Sequence, residues 1–349
     1  MRDIAKKFLE TNETTINTKE IKGTDVFEID LMCATPLAQI SPNGGQSKRY
    51  FYDDNSFSQE PFYTSNGFRG FLRRVAFMDL VEHIKGFEDY KPKGEETYLY
   101  TSGNGGDKKS ISMVTNWEKE QKVRKASPLL SLFGAGLGNI AGKVAIDELT
   151  IPKIENKFIE GKRANGEPYK MSKFLGKNGE TRADSLLNDD IQMIIDSEDA
   201  QRVSQAIRAE AETAKKAKKE GVETDAKQQN AQMIFDVEYL IAGTPLKTAI
   251  NPICNYEFTD IEKGCLLSIM ISASQSQTGA YKRKGFGRLN WNVKLNGEQL
   301  MSATRDDDCH SYVKIEVTQK GKELLKAYKD FLSENIKSSN DILIENMIA

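Results

Sequence analysis

The sequence of 349 residues predicts an α+β fold: an antiparallel sheet with helices on one face. Three observations lead there. Four short segments read as strands, two longer ones repeat apolar residues at helical spacing, and glycine-rich or charged stretches separate them. With those stretches set aside, the order is strand, helix, strand, strand, helix, strand.

Each element has its own pattern. "DVFEIDLMC" (25–33) alternates Phe27, Ile29, Leu31 and Cys33 with Val26, Glu28, Asp30 and Met32, as a half-buried strand does. Residues 41–66, with "NGGQSKRYFYDDNSF", read as a long loop. A helix opens at "SNGFRGFLRRVAF" (65–77), with Phe68, Phe71, Leu72, Val75 and Met78 on one buried face. "TYLYTSGNGGDKKSISM" (97–113) reads as a hairpin, "NWEKEQKVRK" as a short polar helix, and "SPLLSLFGAGLGN" as a glycine-rich loop. "KVAIDELTI" (143–151) supplies the second strand. Residues 152–182 read as a projecting basic arm, and 189–221 as a helix, polar all round towards its end. "AQMIFDVEYLIAG" (231–243) is the third strand, "TDIEKGCLLSIMISAS" the second apolar-faced helix, and "GFGRLNWNVKL" the fourth strand. An amphipathic helix from Thr318 and a short apolar end complete the chain. This order is ferredoxin-like, and it is also that of the RNA-recognition motif, whose open sheet face meets RNA.

Composition narrows the function. The only histidines are His83 and His310, so most histidine-based hydrolase and metal designs are hard to build. Cys33, Cys254, Cys265 and Cys309 share no CxxC spacing, which suits a reducing cytosol and no zinc module. No stretch approaches the roughly 20 apolar residues of a membrane span, and a cytoplasmic protein without cofactor or metal is expected. The net charge of −2 conceals segregation. Residues 151–182 hold eight bases and four acids, residues 183–241 seven bases and thirteen acids. Such basic patches on a nearly neutral chain suggest a polyanion bound along a defined track.

The first helix sharpens that expectation. A helix start already has unpaired N–H groups and the positive end of the dipole, so arginines there are misplaced for helix stability. Arg69, Arg73 and Arg74 behind the Asn66–Gly67 turn make sense if an external anion meets them, with Arg69 and Arg73 on one face. Lys48 and Arg49, ahead of this turn, and Lys157, Lys162 and Arg163 in the arm are counted with them. "GAYKRKGFGRLNWNV" is the most specific signal. Its Gly285 and Gly287 allow close approach of a backbone, Lys282, Arg283, Lys284 and Arg288 supply cations, and Phe286 a stacking surface.

Other motifs favour plain structural readings. "GAGLGNIAG" (134–142) breaks the G-x-G-x-x-G spacing at Asn139, and "GNGGDKKS" lacks the glycine before lysine of a phosphate-binding loop. "RDDDCH" (305–310) fits a solvated acidic loop better than a metal site, since consecutive strand residues point to alternating faces. Asp53 and Asp54 could activate a water or 2′-hydroxyl with a metal, but a turn role suits them better.

Together the stretches resemble the RAMP superfamily, the repeat-associated proteins of CRISPR systems. "NGFRGFLRR" is similar to its early turn-helix motif, "SPLLSLFG" to its Leu-Phe-Gly element, and "KRKGFGRLNW" to the glycine-rich loop before the last core strand. Length, the loop before the first helix and the basic arm resemble the backbone subunit, the Cas Seven family, of the type IV systems above all. The resemblance implies a palm from residues 1–151 (with finger insertions) and 232–349, and a thumb with a helical insertion at 152–231. It implies a non-catalytic subunit in which copies line one guide RNA (crRNA) as a helical filament, for antiviral or anti-plasmid defence. Target DNA or RNA and other effector subunits, a helicase among them, would be its partners. The alternatives are a RAMP endoribonuclease that processes guide RNA or cuts target RNA through Asp53 or Asp54, and an RNA-binding protein outside CRISPR systems.

Overall fold

The computed structural model describes residues 25–40, 46–53, 56–102, 117–135, 140–152, 174–183, 232–253, 256–306 and 310–348. Of these, 25–37, 62–152 and 242–348 form one compact unit, and 38–61 with 174–241 form another.

The first unit is a mixture of helices and antiparallel sheet. Strand β1 (Phe27–Cys33) lies between β8 (Pro245–Pro252) and β9 (Leu289–Leu295), antiparallel to both. Beyond β9 come β10 (Glu298–Arg305) and β11 (Val313–Val317); beyond β8, on its far edge, come the short strands β4 (Val144–Ile146) and β5 (Leu149–Thr150). Register follows the alternation in the sequence: Phe27, Ile29 and Leu31 face across to Ile250, Thr248 and Leu246, and all six are buried. Leu289, Trp291, Val293 and Leu295 of β9 are buried alike. The opposite sheet face is polar, with Lys294 Nζ 3.2 Å from Asp30 Oδ2 and Lys247 Nζ 3.8 Å from Glu28.

Helix α1 (Ser65–Lys85) starts where Thr64 accepts a hydrogen bond from Gly67 N, 3.1 Å. Its buried stripe runs Phe68, Leu72, Ala76 and Leu80 with Phe71, Phe77, Val81 and Ile84, and Phe68 stacks on Trp291 of β9 at 5.8 Å. Burying a side chain of this size stabilises by about 1.5–3 kcal/mol. Helix α5 (Asp260–Gln275) begins with a reciprocal cap between Thr259 and Glu262 and carries Cys265, Leu266, Ile269 and Met270 inward. Helix α6 (Gln319–Asn335), capped by Thr318, packs on α5 through Leu324 and Tyr328. Short helices α2 (Gly94–Ser102), α3 (Trp117–Ala126), α4 (Pro128–Phe133) and α7 (Ile344–Ile348) complete the described helices. Cys33 and Cys265 are fully buried, which pushes both thiols up to about 12 and keeps them inert at neutral pH. Among the described residues no helix is long and apolar enough to cross a membrane.

The second unit contains the hairpin of β2 (Lys48–Asp53) with β3 (Ser56–Tyr63) and a two-stranded sheet of β6 (Leu175–Ala183) with β7 (Gln232–Leu240). Glu238 on β7 receives Lys48 Nζ at 2.9 Å and Gln46 N at 3.2 Å. Phe62 and Tyr63, the last two residues of β3, belong to the first unit, where they pair with β5.

Several expectations are corrected. Residues 41–66 are not one long loop, because "KRYFYD" and "SFSQEPFY" pair as a hairpin. "GEETYLYTS" is helix α2, not the first arm of a hairpin; Tyr100 stacks on Phe77 of α1 at 5.4 Å, a tertiary contact that overrides the β-propensity of its tyrosines. "PLLSLF" is helix α4, capped by Ser127, and not a glycine-rich loop. The strand at 232–240 pairs with β6 in the second unit; the place beside β1 belongs to β8, which the sequence analysis passed over. Of the basic arm, 175–182 fall in β6, and 153–173, with the helix expected at 189–221, lie outside the described residues.

Candidate nucleic-acid interface

The puzzle of the arginines at the start of α1 resolves inside the chain. Arg73 is buried and donates Nε to Tyr100 O (2.6 Å) and Nη2 to Leu99 O (2.8 Å) and Gly134 O (2.7 Å). Leu99 and Tyr100 belong to the last turn of α2, and Gly134 follows the end of α4. Arg69, half-buried, donates Nη2 to Phe133 O, the last residue of α4, at 2.8 Å. Helix C-termini present unpaired carbonyls and the negative end of the dipole. Those two ends supply the negative charge, so Arg69 and Arg73 are clamps and not an exposed cationic face. Burial first, then the charge of Arg69, lower the pKa of Arg73 to about 10, which leaves it cationic at neutral pH.

Arg74 has the opposite setting. It is exposed and has no hydrogen-bond or acidic partner among the described residues. Its charge is felt by Lys282, whose pKa is lowered by burial first and by Arg74 second. Two cations on separate elements thus feel each other's charge, and neither has an acidic partner among the described residues.

Lys282 belongs to the glycine-rich loop, and this loop is held tightly at both ends. Thr278 N bonds Gly287 O at 2.9 Å, Gly287 N bonds Pro36 O at 2.7 Å, and Arg288 N bonds Thr35 Oγ1 at 3.0 Å. Gly287 has φ +84°, and a Cβ there would lie 1.8 Å from Thr278 O, so no other residue fits. Gln277 Nε2 ties the loop across its mouth, to Lys282 O (3.2 Å) and Phe286 O (3.1 Å). Tyr63 Oη lies 3.0 Å from Thr278 Oγ1, which joins the loop to the strand leading into α1. Between these ties, Lys282, Arg283 and Lys284 form one exposed turn of 3₁₀-helix. Lys282 Nζ lies 5.8 Å from the centre of Phe71, and Lys284 Nζ 5.5 Å from that of Tyr281, which meets Phe286 edge-on at 5.9 Å. A rigid loop that projects cations between aromatic rings can hold phosphates and stack bases.

The other expected contacts separate. Asn66 is exposed at the head of α1, and Gly67 N is spent on the Thr64 cap. Arg288 reaches Ser311 Oγ at 2.8 Å. Lys48 is paired with Glu238 in the second unit, and Arg49 follows it in β2, with its backbone opposite Glu60. Lys157, Lys162 and Arg163 lie outside the described residues, as do Asp54 and 307–309 of the acidic motif. Asp53 closes β2. His83 Nε2 lies 3.0 Å from Ile336 O. Among the described residues no three potential ligands gather as for a metal.

Arg305, which the sequence sets at the head of the acidic motif, has a structural setting that its acidic neighbours conceal. It is buried at the end of β10, and its guanidinium bonds Leu289 O (3.3 Å), His310 O (2.7 Å), Ser274 O and Ser276 O (3.4 Å). The last two lie at the end of α5, the third helix end held by an arginine.

No protein-family model and no curated protein matches the chain. Among solved structures it is similar to a chain of the "Type IV-B CRISPR Complex", at 13% identity and a TM-score of 0.45, over 77% of this chain and 90% of that one.

Proposed function

We propose that this chain is a non-catalytic, guide-RNA-binding backbone subunit of a CRISPR effector complex, of the Cas Seven type. The observation that carries the reading is the cluster of Arg74, Lys282 and Arg283. Lys282 lies over the Phe71 ring of α1 and feels the charge of Arg74, Arg283 follows it in the exposed turn, and none of the three has an acidic partner among the described residues. The phosphates of an RNA strand would offset the repulsion among these cations.

The fold agrees with this reading. With β2, β3, β6, β7 and the strands after β9 set aside, β1-α1-β4/β5-β8-α5-β9 is strand, helix, strand, strand, helix, strand. The spatial order β9-β1-β8-β4/β5 supports a ferredoxin-like palm. The three motifs that resemble the RAMP superfamily fall on α1, on α4 and on the loop before β9, all in the first unit.

Filter binding on single-stranded RNA over a series of salt concentrations tests the reading. Replacing Arg74, Lys282 and Arg283 with Ala should weaken binding for every RNA sequence. It should also flatten the salt dependence by a slope of about 2, since each lost contact to a single strand removes about 0.7. A loss confined to particular sequences, or an unchanged slope, rules out the backbone contact.

A further inference from the structure

Among the described residues only two that are not glycine have a positive φ, Asn296 at 52° and Tyr281 at 57°. Asn296 is suited to it. It precedes Gly297 in the tight turn between β9 and β10, and its Oδ1 accepts a hydrogen bond from Val26 N at 2.8 Å. Tyr281 gains nothing comparable. A bulky side chain in the left-handed region is strained, and its hydroxyl makes no hydrogen bond among the described residues. The glycine-rich loop meets the same demand elsewhere with glycine: Gly279, Gly285 and Gly287 have φ of 77°, 84° and 84°. At the fourth left-handed position it carries a tyrosine, where glycine or asparagine would relieve the strain. Residues held in this way cluster at binding sites, where the side chain is the reason for the strain.

The surroundings of the ring fit such a role. Tyr281 is half-buried, Phe286 meets it edge-on at 5.9 Å, and Lys284 Nζ lies 5.5 Å from its centre. The backbone around it is pinned, because Tyr281 O accepts a bond from Lys284 N at 2.9 Å and Gln277 Nε2 ties Lys282 O to Phe286 O. Lys282 and Arg283, the next two residues, are exposed cations, and the sequence holds no acid between Glu262 and Glu298. A ring on a fixed backbone, followed by two cations, offers a base a flat surface and its phosphates a counter-charge. The ammonium over the ring is a weaker guest than a base. An exposed cation–π contact is worth about 2- to 5-fold in affinity and base stacking about 5- to 150-fold, so a base displaces Lys284.

We propose that Tyr281 stacks on a base of single-stranded RNA, in the place that Lys284 Nζ holds in the free protein, while Lys282 and Arg283 hold the adjoining phosphates. The proposal rests on the RNA-binding reading above, and its test separates the two. Tyr281→Asn removes the ring and relieves the backbone, so its thermal midpoint should equal or exceed that of the wild type. Fluorescence anisotropy then compares a base-bearing single-stranded RNA with an abasic ribose-phosphate strand of equal length. Tyr281→Asn should weaken the first between about 5- and 150-fold, the range of one lost stacking contact, and leave the second unchanged. Tyr281→Phe, with the same ring and the same strain, should keep wild-type affinity for both. An RNA carrying 2-aminopurine should be quenched on binding to the wild type and to Tyr281→Phe, and less so by Tyr281→Asn.

Equal weakening of both strands, with or without a lower midpoint, means that Tyr281 only shapes the loop, and overturns the proposal. Normal RNA binding by Tyr281→Asn beside weakened binding by the triple alanine variant overturns stacking and leaves the RNA-binding reading in place. A wild-type protein that binds neither strand overturns both.

Discussion

Arg73 and Arg74 are neighbours in sequence and opposites in setting. Arg73 satisfies three carbonyls at two helix ends, whereas Arg74 faces outward with none. Replacing Arg73 with Met strands those buried acceptors, and each costs about 1–3 kcal/mol. The summed loss is a large share of the 5–15 kcal/mol that usually holds a domain together. Arg74→Met should move stability by no more than about 0.5 kcal/mol, as exposed substitutions do. Urea unfolding of the two variants measures both, and a similar midpoint for the pair contradicts the clamp. The sequence carried part of this: four-residue spacing set Arg69 and Arg73 on one face of α1. It held nothing on where that face looks, which depends on the ends of α2 and α4 arriving from 26 to 64 residues away. The same holds for Arg305, whose acidic neighbours suggested a solvated loop.

Among the elements, β1, β9, α1 and α5 were legible because each carries a clean period of two or 3.6 over seven or more residues. Strand β8, "PLKTAINP", was not: prolines at both ends and Lys247 and Asn251 within dilute its alternation, and pairing with β1 makes it a strand. Conversely, "QMIFDVEYL" alternates well, but alternation cannot say which sheet a strand joins. The glycine-rich loop was legible as glycine plus charge, while its shape depends on two glycines of unequal consequence. Gly285 and Gly287 both have φ +84°, yet a Cβ at Gly285 meets nothing within 4 Å, and one at Gly287 meets Thr278 O at 1.8 Å. Gly285→Ala should therefore cost only the left-handed strain of about 1–2 kcal/mol. Gly287→Ala must also break the bonds of Gly287 to Thr278 and Pro36, and should lower both the thermal midpoint and RNA affinity much further. Equal shifts in thermal midpoint for the two would mean that the loop relaxes freely and the close approach is unimportant.

At the scale of the whole molecule, the proposed role is assembly along a strand of RNA. A backbone subunit repeats one head-to-tail contact, and such a contact builds an open helix, not a closed dimer. Like-charged tracks on adjacent copies repel until phosphates offset them, so RNA should control the length of the assembly. The basic segment 153–173, with six bases and three acids, is the part of the chain best suited by charge to bridge a neighbour and the strand. It can be removed without touching β6, whose pairing with β7 a deletion running on to 182 would destroy. We therefore expect a mainly monomeric free protein and oligomers that lengthen with the RNA. Deleting 153–173 should abolish the oligomers while RNA binding by a single copy through Arg74, Lys282 and Arg283 persists. Light scattering on a ladder of RNA lengths reads the first effect, and anisotropy on a short RNA the second. A fixed dimer at every RNA length would leave an RNA-binding protein but exclude a filament subunit, because a closed pair has no free contact with which to grow.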